Sequence, residues 1–286
     1  MEKINDINPE KHELNSPLRY TTWGLAIFWL VVALGPFLFQ FSSTFKSLEE
    51  FSTGSLFNIP EKFQLGNYLS VINDGFHKFF LNSVIVLIVS LFVLLLLSAF
   101  AAYPLSRMEF KLNRPIYAAI VAAMSIPIHI TLIPIYVMNV RVGLYDSLLA
   151  LIGPNVAFNL PISIFILTGF MQSIPKELEE AAEIDGCGKF AAFFRMMLPL
   201  SKPGLATLAI YNGVVIWNEF VFAMTLVSSK TYQTLPLAVW LYQGQYSSDI
   251  PKIMTLLFLS SLPVILLYIF FQDKLVKGMM AGAVKG

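Results

Sequence analysis

Gly186 to Lys189 form the stretch of this 286-residue chain that comes nearest to a phosphate-binding loop. A loop of that kind needs a glycine five residues before its Gly-Lys pair and a Ser or Thr directly after it. Its backbone amides cradle the phosphates, and the hydroxyl binds Mg²⁺. In this chain Glu183 stands at the first of these positions and Phe190 at the last. The sequence therefore predicts that the chain neither binds nor hydrolyses a nucleotide.

Polar residues that interrupt long apolar stretches are candidates for binding a solute. Glu219 is the clearest, because an isolated charge in a membrane is costly and usually has a function. Beside it, Trp217 and Asn218 could stack on and hydrogen-bond a sugar ring. The three residues could equally bond neighbouring helices to one another. Asn159 is open to the same two interpretations, and the sequence does not choose between them.

Residue sets suited to covalent chemistry are missing from the sequence. His129 is the one histidine inside an apolar stretch, and we interpret it as a hydrogen-bonded packing residue. Cys187 is the only cysteine, so an internal disulfide framework and a cysteine metal site are both excluded. The sequence predicts no catalytic residues, no metal ligands and no cofactor. An intramembrane enzyme would need a His or carboxylate cluster in the apolar stretches.

The composition is that of a membrane protein. Hydrophobic residues make up 56% of the chain and charged residues only 13%, where a soluble domain has about 25% charged residues. The net charge of +1 provides no basic field for nucleic acid. Lipid offers no hydrogen-bond partner to a backbone, so each membrane span is expected to be helical and the fold all-α.

Six segments are long and apolar enough to cross a membrane core of about 30 Å. They are expected at about residues 23–41, 83–105, 115–140, 147–171, 203–226 and 253–271. Residues 1–20 are polar and give no sign of a cleaved secretory signal. We therefore expect an N-terminal segment at 1–20, a six-helix domain at 21–272 and a C-terminal tail at 273–286.

The distribution of basic residues predicts the orientation. With the N-terminus inside, 13 of the 19 Lys and Arg residues fall in inside segments and six in outside segments. Loops rich in Lys and Arg remain in the cytoplasm. Both termini and the segment 172–202 are therefore expected on the cytoplasmic side of a bacterial inner membrane.

The cytoplasmic segment at about 173–202 predicts two short amphipathic helices joined at Gly186. Leu178, Ala181, Ala182 and Asp185 share a face of the first helix, and the two alanines leave room for close approach. Glycine is common just after a helix end. The pair could rest on the bilayer surface or dock a soluble partner, and periodicity alone leaves both open.

The motif in this segment resembles the signature loop of binding-protein-dependent ABC import permeases. That loop reads Glu-Ala-Ala, three residues, Gly, nine residues, Ile, one residue, Leu-Pro. This chain matches it over residues 180–199, with Met196 in place of the Ile. The stretches 101–107, 217–220, 234–236 and 281–286 are similar to the carbohydrate-importing branch, in particular to the smaller permease subunit of maltose-type systems.

The resemblance implies coupling helices between the fourth and fifth spans that dock on an ATP-binding subunit. The implied docking residues are Glu180, Ala181, Ala182, Asp185, Gly186, Leu198 and Pro199. It further implies that Gly282, Lys285 and Gly286 of the tail reach between two ATP-binding subunits.

The implied partners are those two subunits, a second homologous permease chain, membrane lipid and an extracellular binding protein that delivers a sugar or oligosaccharide. A permease for a non-sugar solute, or an ion-coupled secondary transporter, is the alternative.

Overall fold

The computed structural model describes residues 16–55, 58–184, 186–244 and 248–283. Within these ranges the chain is built of helices and short turns, without a β-strand. The α-helices, in chain order, are α1 (Ser16–Ser43), α2 (Leu48–Thr53), α3 (Gly66–Asn73), α4 (Phe76–Arg107), α5 (Asn113–Ala123), α6 (Leu132–Arg141), α7 (Leu149–Ser173), α8 (Lys176–Ile184), α9 (Lys189–Ala192), α10 (Leu198–Leu200), α11 (Lys202–Trp217), α12 (Val221–Leu226), α13 (Leu235–Ala238) and α14 (Ile250–Ala283).

Four helices in the described part of the chain are long and apolar enough to cross a membrane. They comprise Tyr20–Ser43 of α1, the whole of α4 and α7, and Ile250–Ile269 of α14. Each coincides with an expected span, and the all-α membrane architecture is confirmed. The backbone of α14 continues to Ala283, so most of the segment expected as a tail is helical.

The span expected at 115–140 is not one straight helix. It consists of α5 and a second helical stretch, Ile128–Arg141, bent by 93° relative to each other. Pro127 lies at the break in an extended conformation, with φ −65° and ψ 130°. Proline removes a backbone donor and interrupts the helical ladder, which explains the bend. Counted as one span, this pair raises the number from four to five.

The span expected at 203–226 is also divided. Its first part, α11, has 16 residues, which at 1.5 Å per residue is about 24 Å and short of a typical membrane core. The chain leaves the helix at Asn218 and Glu219 before α12 begins. Six uninterrupted helices are therefore not what the described residues form.

The core lies between α4, α7 and α11, which pack along one another. One apolar cluster joins Leu94 of α4 to Leu151 of α7 and Phe222 of α12. A second cluster, at the end of the bundle where α4 and α7 both finish, contains Met171. Burial of these side chains between helices fixes which ends of the helices meet.

A glycine permits a close approach of α11 to α7. An added Cβ at Gly204 would lie 2.8 Å from Cγ of Phe170, a distance that real Cβ atoms do not adopt. Gly213 lies further along the same helix, and a Cβ there would meet nothing within 4 Å. A Cβ therefore lacks room at Gly204 and has open space at Gly213.

We expect Gly204→Ala to destabilise the bundle by about 1–3 kcal/mol, the usual cost of overpacking a filled core. Gly213→Ala is the matched control. It should be neutral or stabilising by up to about 1 kcal/mol, because alanine favours a helix more than glycine does. Thermal unfolding of both variants in detergent measures the difference, and equal melting temperatures would contradict the close packing at Gly204.

Candidate docking loop and solute segment

The loop that joins α7 to α11 presents an ordered helix, α8, at one end of the bundle. The side chains of Glu180 and Ala181 are exposed, and that of Ala182 is half-buried. Two large apolar side chains of the same helix are also exposed, Leu178 at 44% and Ile184 at 86%. Leu178 and the two alanines lie on one side of α8 and Glu180 and Ile184 on another, and we call the five residues together the docking face. An apolar helix face left uncovered by its own chain is suited to contact with another molecule.

Helix α8 ends where the glycine signal predicts. Gly186 has a φ of +81°, in the left-handed region, and an added Cβ there would meet nothing within 4 Å. The amide of Cys187 donates a hydrogen bond of 2.9 Å to the carbonyl of Ala182, five residues earlier. This is the bond of a Schellman helix end, in which glycine avoids backbone strain. Asp185 lies outside the described residues.

The second half of the loop anchors the segment to the bundle. Phe193 and Met197 are buried in the cluster that contains Met171. Leu198 is half-buried against the same cluster, whereas Pro199 is exposed. The loop therefore has a fixed part facing the helices and an uncovered part facing away from them.

The end of α4 binds both the end of α7 and the start of α8. Nη2 of Arg107 donates hydrogen bonds to the carbonyls of Met171 at 2.6 Å and Ile174 at 2.5 Å. Its Nε lies 3.7 Å from Oε2 of Glu179. The hydroxyl of Tyr103, one turn earlier, lies 2.8 Å from Oε1 of the same carboxylate. We call Tyr103, Arg107 and Glu179 the α4–α8 clamp.

The clamp is almost inaccessible to water, so each of its polar contacts affects its stability. The side chain of Arg107 is 2% exposed and that of Glu179 is 16% exposed. A buried guanidinium needs a counter-charge nearby, which the carboxylate of Glu179 supplies. Two carbonyls accept hydrogen bonds from Nη2, whereas Nε has no hydrogen-bond partner among the described residues. The carbonyl of Met171 also accepts a 3.2 Å hydrogen bond from the amide of Ile174, so the arginine adds to the backbone cap at the end of α7.

The clamp was not among the residues singled out from the sequence. Tyr103 and Arg107 are spaced i, i+4 on α4, so they share a helix face. Glu179 precedes the motif glutamate and looked like one of several acids at a helix start. Nothing in the sequence pairs an arginine of one span with a glutamate 72 positions away.

We expect Arg107→Gln to loosen α8, because hydrogen bonds to a charged group contribute about 1.5–3 kcal/mol each. Backbone hydrogen exchange across residues 174–184 should then rise roughly tenfold or more. Arg195→Gln is the control, since Arg195 is an exposed cation of the same loop. Unchanged exchange in Arg107→Gln, measured by mass spectrometry, would show that α8 is held by its apolar contacts alone.

The three residues that interrupt the fifth expected span have different surroundings. Trp217 is 7% exposed, and its Nε1 donates a 3.1 Å hydrogen bond to the carbonyl of Ser260 on α14. Its ring meets that of Phe80 edge-on at 5.8 Å. Asn218 is exposed, and its amide bonds only to the carbonyl of Val214 in its own helix. Of the two, Asn218 is therefore the residue available to a solute.

Glu219 caps the short helix that follows it. Oε1 accepts a 2.6 Å hydrogen bond from the amide of Phe222, and Oε2 a 3.2 Å hydrogen bond from the amide of Ala223. These amides begin α12 and have no partner inside the helix. A carboxylate at this end is further stabilised by the helix dipole. The break in the fifth expected span is thus stabilised by its own acidic residue.

Glu219 and Trp217 line one small cavity with Asn155 of α7, whereas Asn159 lies one turn further along α7. The cavity measures about 10 Å³, enough for about one water molecule. Nδ2 of Asn159 donates a 2.8 Å hydrogen bond to the carbonyl of Asn155. Asn155 thus lines a cavity too small for a sugar ring, and Asn159 is bonded within its own helix.

We expect Glu219→Ala to cost about 1 kcal/mol of stability, the usual loss when a helix cap is removed. Solute transport should fall further, because α12 and the break that precedes it lose their anchor. Asn218→Ala should leave the melting temperature unchanged, since its amide bonds only within α11. Thermal unfolding and solute uptake, measured on both variants, separate the two roles. If the melting temperature fell equally in both variants, the roles assigned to Glu219 and Asn218 would be contradicted.

Several known proteins are similar to this chain over most of its length. A putative ABC transporter permease of a Caldicellulosiruptor species is 52% identical over 90% of this chain and 94% of its own. The diacetylchitobiose uptake system permease protein of Streptomyces coelicolor is 34% identical over 90% and 86%.

In fold, the chain is similar to a crystal structure of a bacterial ABC transporter involved in the import of alginate. The TM-score is 0.76 at 22% sequence identity, covering 89% of this chain and 95% of the other.

A family model identifies the class of protein. Residues 94–281 match the model of the binding-protein-dependent transport system inner membrane component. The chain belongs to this family, which is the family that its signature loop resembles. It is therefore a multi-pass transport subunit of the inner membrane, and the ion-coupled alternative loses its basis.

Proposed function

We propose that this chain is the membrane-spanning permease subunit of an ATP-driven importer that carries a sugar or an oligosaccharide. One observation carries the proposal: the docking face of α8 is uncovered at the end of the bundle while the α4–α8 clamp fixes the helix beneath it. A loop that only joined α7 to α11 would need neither the exposed apolar face nor the clamp. A helix that transmits force from a partner needs both.

The names of its relatives support a carbohydrate as the solute. The Streptomyces relative is named for diacetylchitobiose, and a Bacillus subtilis relative, 36% identical over 72% of this chain, for melibiose, raffinose and stachyose. The transporter similar in fold is described as importing alginate. All of these solutes are saccharides. The length and identity of the sugar carried by this chain follow from none of them.

The docking face and the turn after it are the proposed contact with an ATP-binding subunit. Glu180, Ala181 and Ala182, followed by Asp185 and Gly186, would meet a cleft on that subunit. The small side chains allow close approach, and the acidic ones suit a basic partner. Leu198 and Pro199 end the second helical stretch and hold it at the surface.

The remaining partners follow from the same proposal. The chain would pair with a second homologous permease, bind two ATP-binding subunits in the cytoplasm and receive solute from an extracellular binding protein. The charge distribution favours both termini in the cytoplasm. The tail would reach the ATP-binding subunits through Gly282, at the end of α14, and through Lys285 and Gly286, which lie outside the described residues.

Force would pass from the docking face into the membrane through the clamp. When ATP binding closes the two ATP-binding subunits, α8 moves with them, and Arg107 and Tyr103 pull the end of α4. Since α4 packs along α7 and α11, these helices would tilt together as one body. Rigid-body tilting of this kind alternates access to the two sides of the membrane.

The solute path would run along the exposed face of α11. Tyr211, which is 49% exposed, and Asn218 lie about two turns apart on that face and offer an aromatic ring and an amide. Sugar rings are bound by such pairs of stacking and hydrogen-bonding groups. Trp217 would position this face through its hydrogen bond to α14, and Glu219 through its cap on α12. Asn159, which bonds within α7, would be a further polar residue of the path.

The docking proposal is tested with two glycine variants of the same kind. Gly186 and Gly143 both have positive φ, +81° and +73°, and both have open space around an added Cβ. Gly186→Asp and Gly143→Asp thus suffer similar backbone strain. Gly186 borders the docking face, whereas Gly143 follows α6, away from that loop. The chain is purified with its co-expressed partner permease and ATP-binding subunit.

We expect Gly186→Asp to weaken retention of the ATP-binding subunit by at least about tenfold, as at a binding hot spot, with loss of coupled ATPase activity. Gly143→Asp should retain both. If the two variants behave alike, docking lies elsewhere. The solute class is tested separately, by ATPase stimulation with the sugar-loaded binding protein. A response only to a non-sugar solute would overturn that part alone.

A further inference from the structure

A groove at the end of α4 is lined by basic side chains. It measures about 750 Å³ and lies between the loop that joins α4 to α5 and the start of α8. Lys111, Arg114 and Lys176 line it together with Arg107 and one acid, Glu109. Because Arg107 is paired with Glu179, the three remaining cations outnumber the acid and leave the groove positively charged.

The three cations are available to a ligand. Their side chains are exposed. Within the described part of the chain, the ion pairs are Arg107–Glu179 and Lys252–Asp249, so Lys111, Arg114 and Lys176 take part in neither. Three cations held in one concave site with a single acid among them repel one another. A bound anion would relieve that repulsion, which is the charge complementarity expected of a ligand site.

The groove lies at the end of the apolar part of α4, where lipid headgroups are expected. Arg107 is the first charged residue after the apolar part of α4, and Arg114 is the last one before the apolar part of α5. The groove is therefore where the chain enters and leaves the hydrocarbon. Phe110 is 41% exposed, Leu112 61% and Ile116 41% beside these cations. Exposed apolar side chains next to lysine and arginine are typical of a protein surface at the membrane interface.

We propose that this groove binds the phosphate headgroup of an anionic phospholipid, with Lys111, Arg114 and Lys176 as its ligands. The exposed apolar residues beside them would contact the acyl chains of the same lipid. A soluble phosphate would use only the cations and leave those apolar side chains in water. Basic pockets at the ends of membrane helices suit anionic headgroups for this reason. The site is independent of the solute and of the docking partner.

The site borders the α4–α8 clamp, since Arg107 lines the groove and Lys176 begins α8. A lipid bound there would join the start of α8 to the ends of α4 and α5 through its headgroup. It would therefore brace the helix that carries the docking face from the membrane side.

The test counts lipids bound to the purified full chain by native mass spectrometry. The chain is titrated with phosphatidylglycerol or with phosphatidylcholine, which is zwitterionic. Three variants are compared with the unmodified chain. In the first, Lys111, Arg114 and Lys176 are replaced by Gln. In the second, the three are exchanged as K111R, R114K and K176R, which keeps every charge.

The third variant is the control and replaces three exposed cations outside the groove, as K62Q, K78Q and R141Q. It loses the same net charge, and Lys78 lies at the opposite end of α4 from the groove.

We expect the unmodified chain, the charge-keeping variant and the control to bind phosphatidylglycerol tightly and phosphatidylcholine weakly. Each neutralised cation should weaken phosphatidylglycerol binding roughly fivefold, so the triple Gln variant should lose on the order of a hundredfold. If the triple Gln variant folds poorly, the three single Gln variants test the same point, each with a smaller loss of phosphatidylglycerol binding.

Equal binding of the two lipids would overturn the proposal, and so would equal loss in the control. Displacement of the lipid by inorganic phosphate alone would show a soluble anion site. If the groove is covered only when the ATP-binding subunit is co-purified, it is a contact site for that subunit instead.

Discussion

The guanidinium of Arg107 is the interaction on which the loop end of this bundle depends. It lies almost out of reach of water and meets two carbonyls at the end of α7 and a carboxylate of α8. Removing a charge of this kind from water is costly, so its partners cannot drift away without a large penalty. Helix α4 is thereby fixed at a single point to α7 and α8, which lie far from it in the sequence. The exposed face of α8 can remain exposed because its other side is held in this way.

Much of the architecture could be predicted from the sequence because a membrane restricts the secondary structures that can span it. Long apolar runs must be helices in lipid, and the structure has α1, α4, α7 and most of α14 where those runs lie. The signature loop identified the family because its spacing extends over twenty residues. What composition could not give was the continuity of the third and fifth expected spans. Pro127 and the polar pair Asn218 and Glu219 divide them, and hydropathy averages over such short interruptions.

The candidate site shows the same limit in another form. Trp217, Asn218 and Glu219 were all candidates for binding a sugar, because neighbours in sequence share one local pattern. In the structure they differ: Trp217 bonds to α14, Glu219 caps α12, and Asn218 is exposed. Side-chain direction at a helix end depends on which backbone groups lack partners, and that is decided by the tertiary arrangement. For the same reason no pattern could reveal a clamp between Tyr103 and Glu179.

The clamp also determines which pieces of this molecule are modular. The loop between α7 and α11 resembles a self-contained segment that could be exchanged between permeases to change the partner enzyme. Yet its first helix bonds to the last turn of α4, about seventy residues upstream. A chimera that moved only the loop would leave a buried arginine facing an unfamiliar surface. The segment that determines the partner is therefore discontinuous in sequence. Related permeases should exchange partner specificity only when the end of α4 and the loop are transferred together.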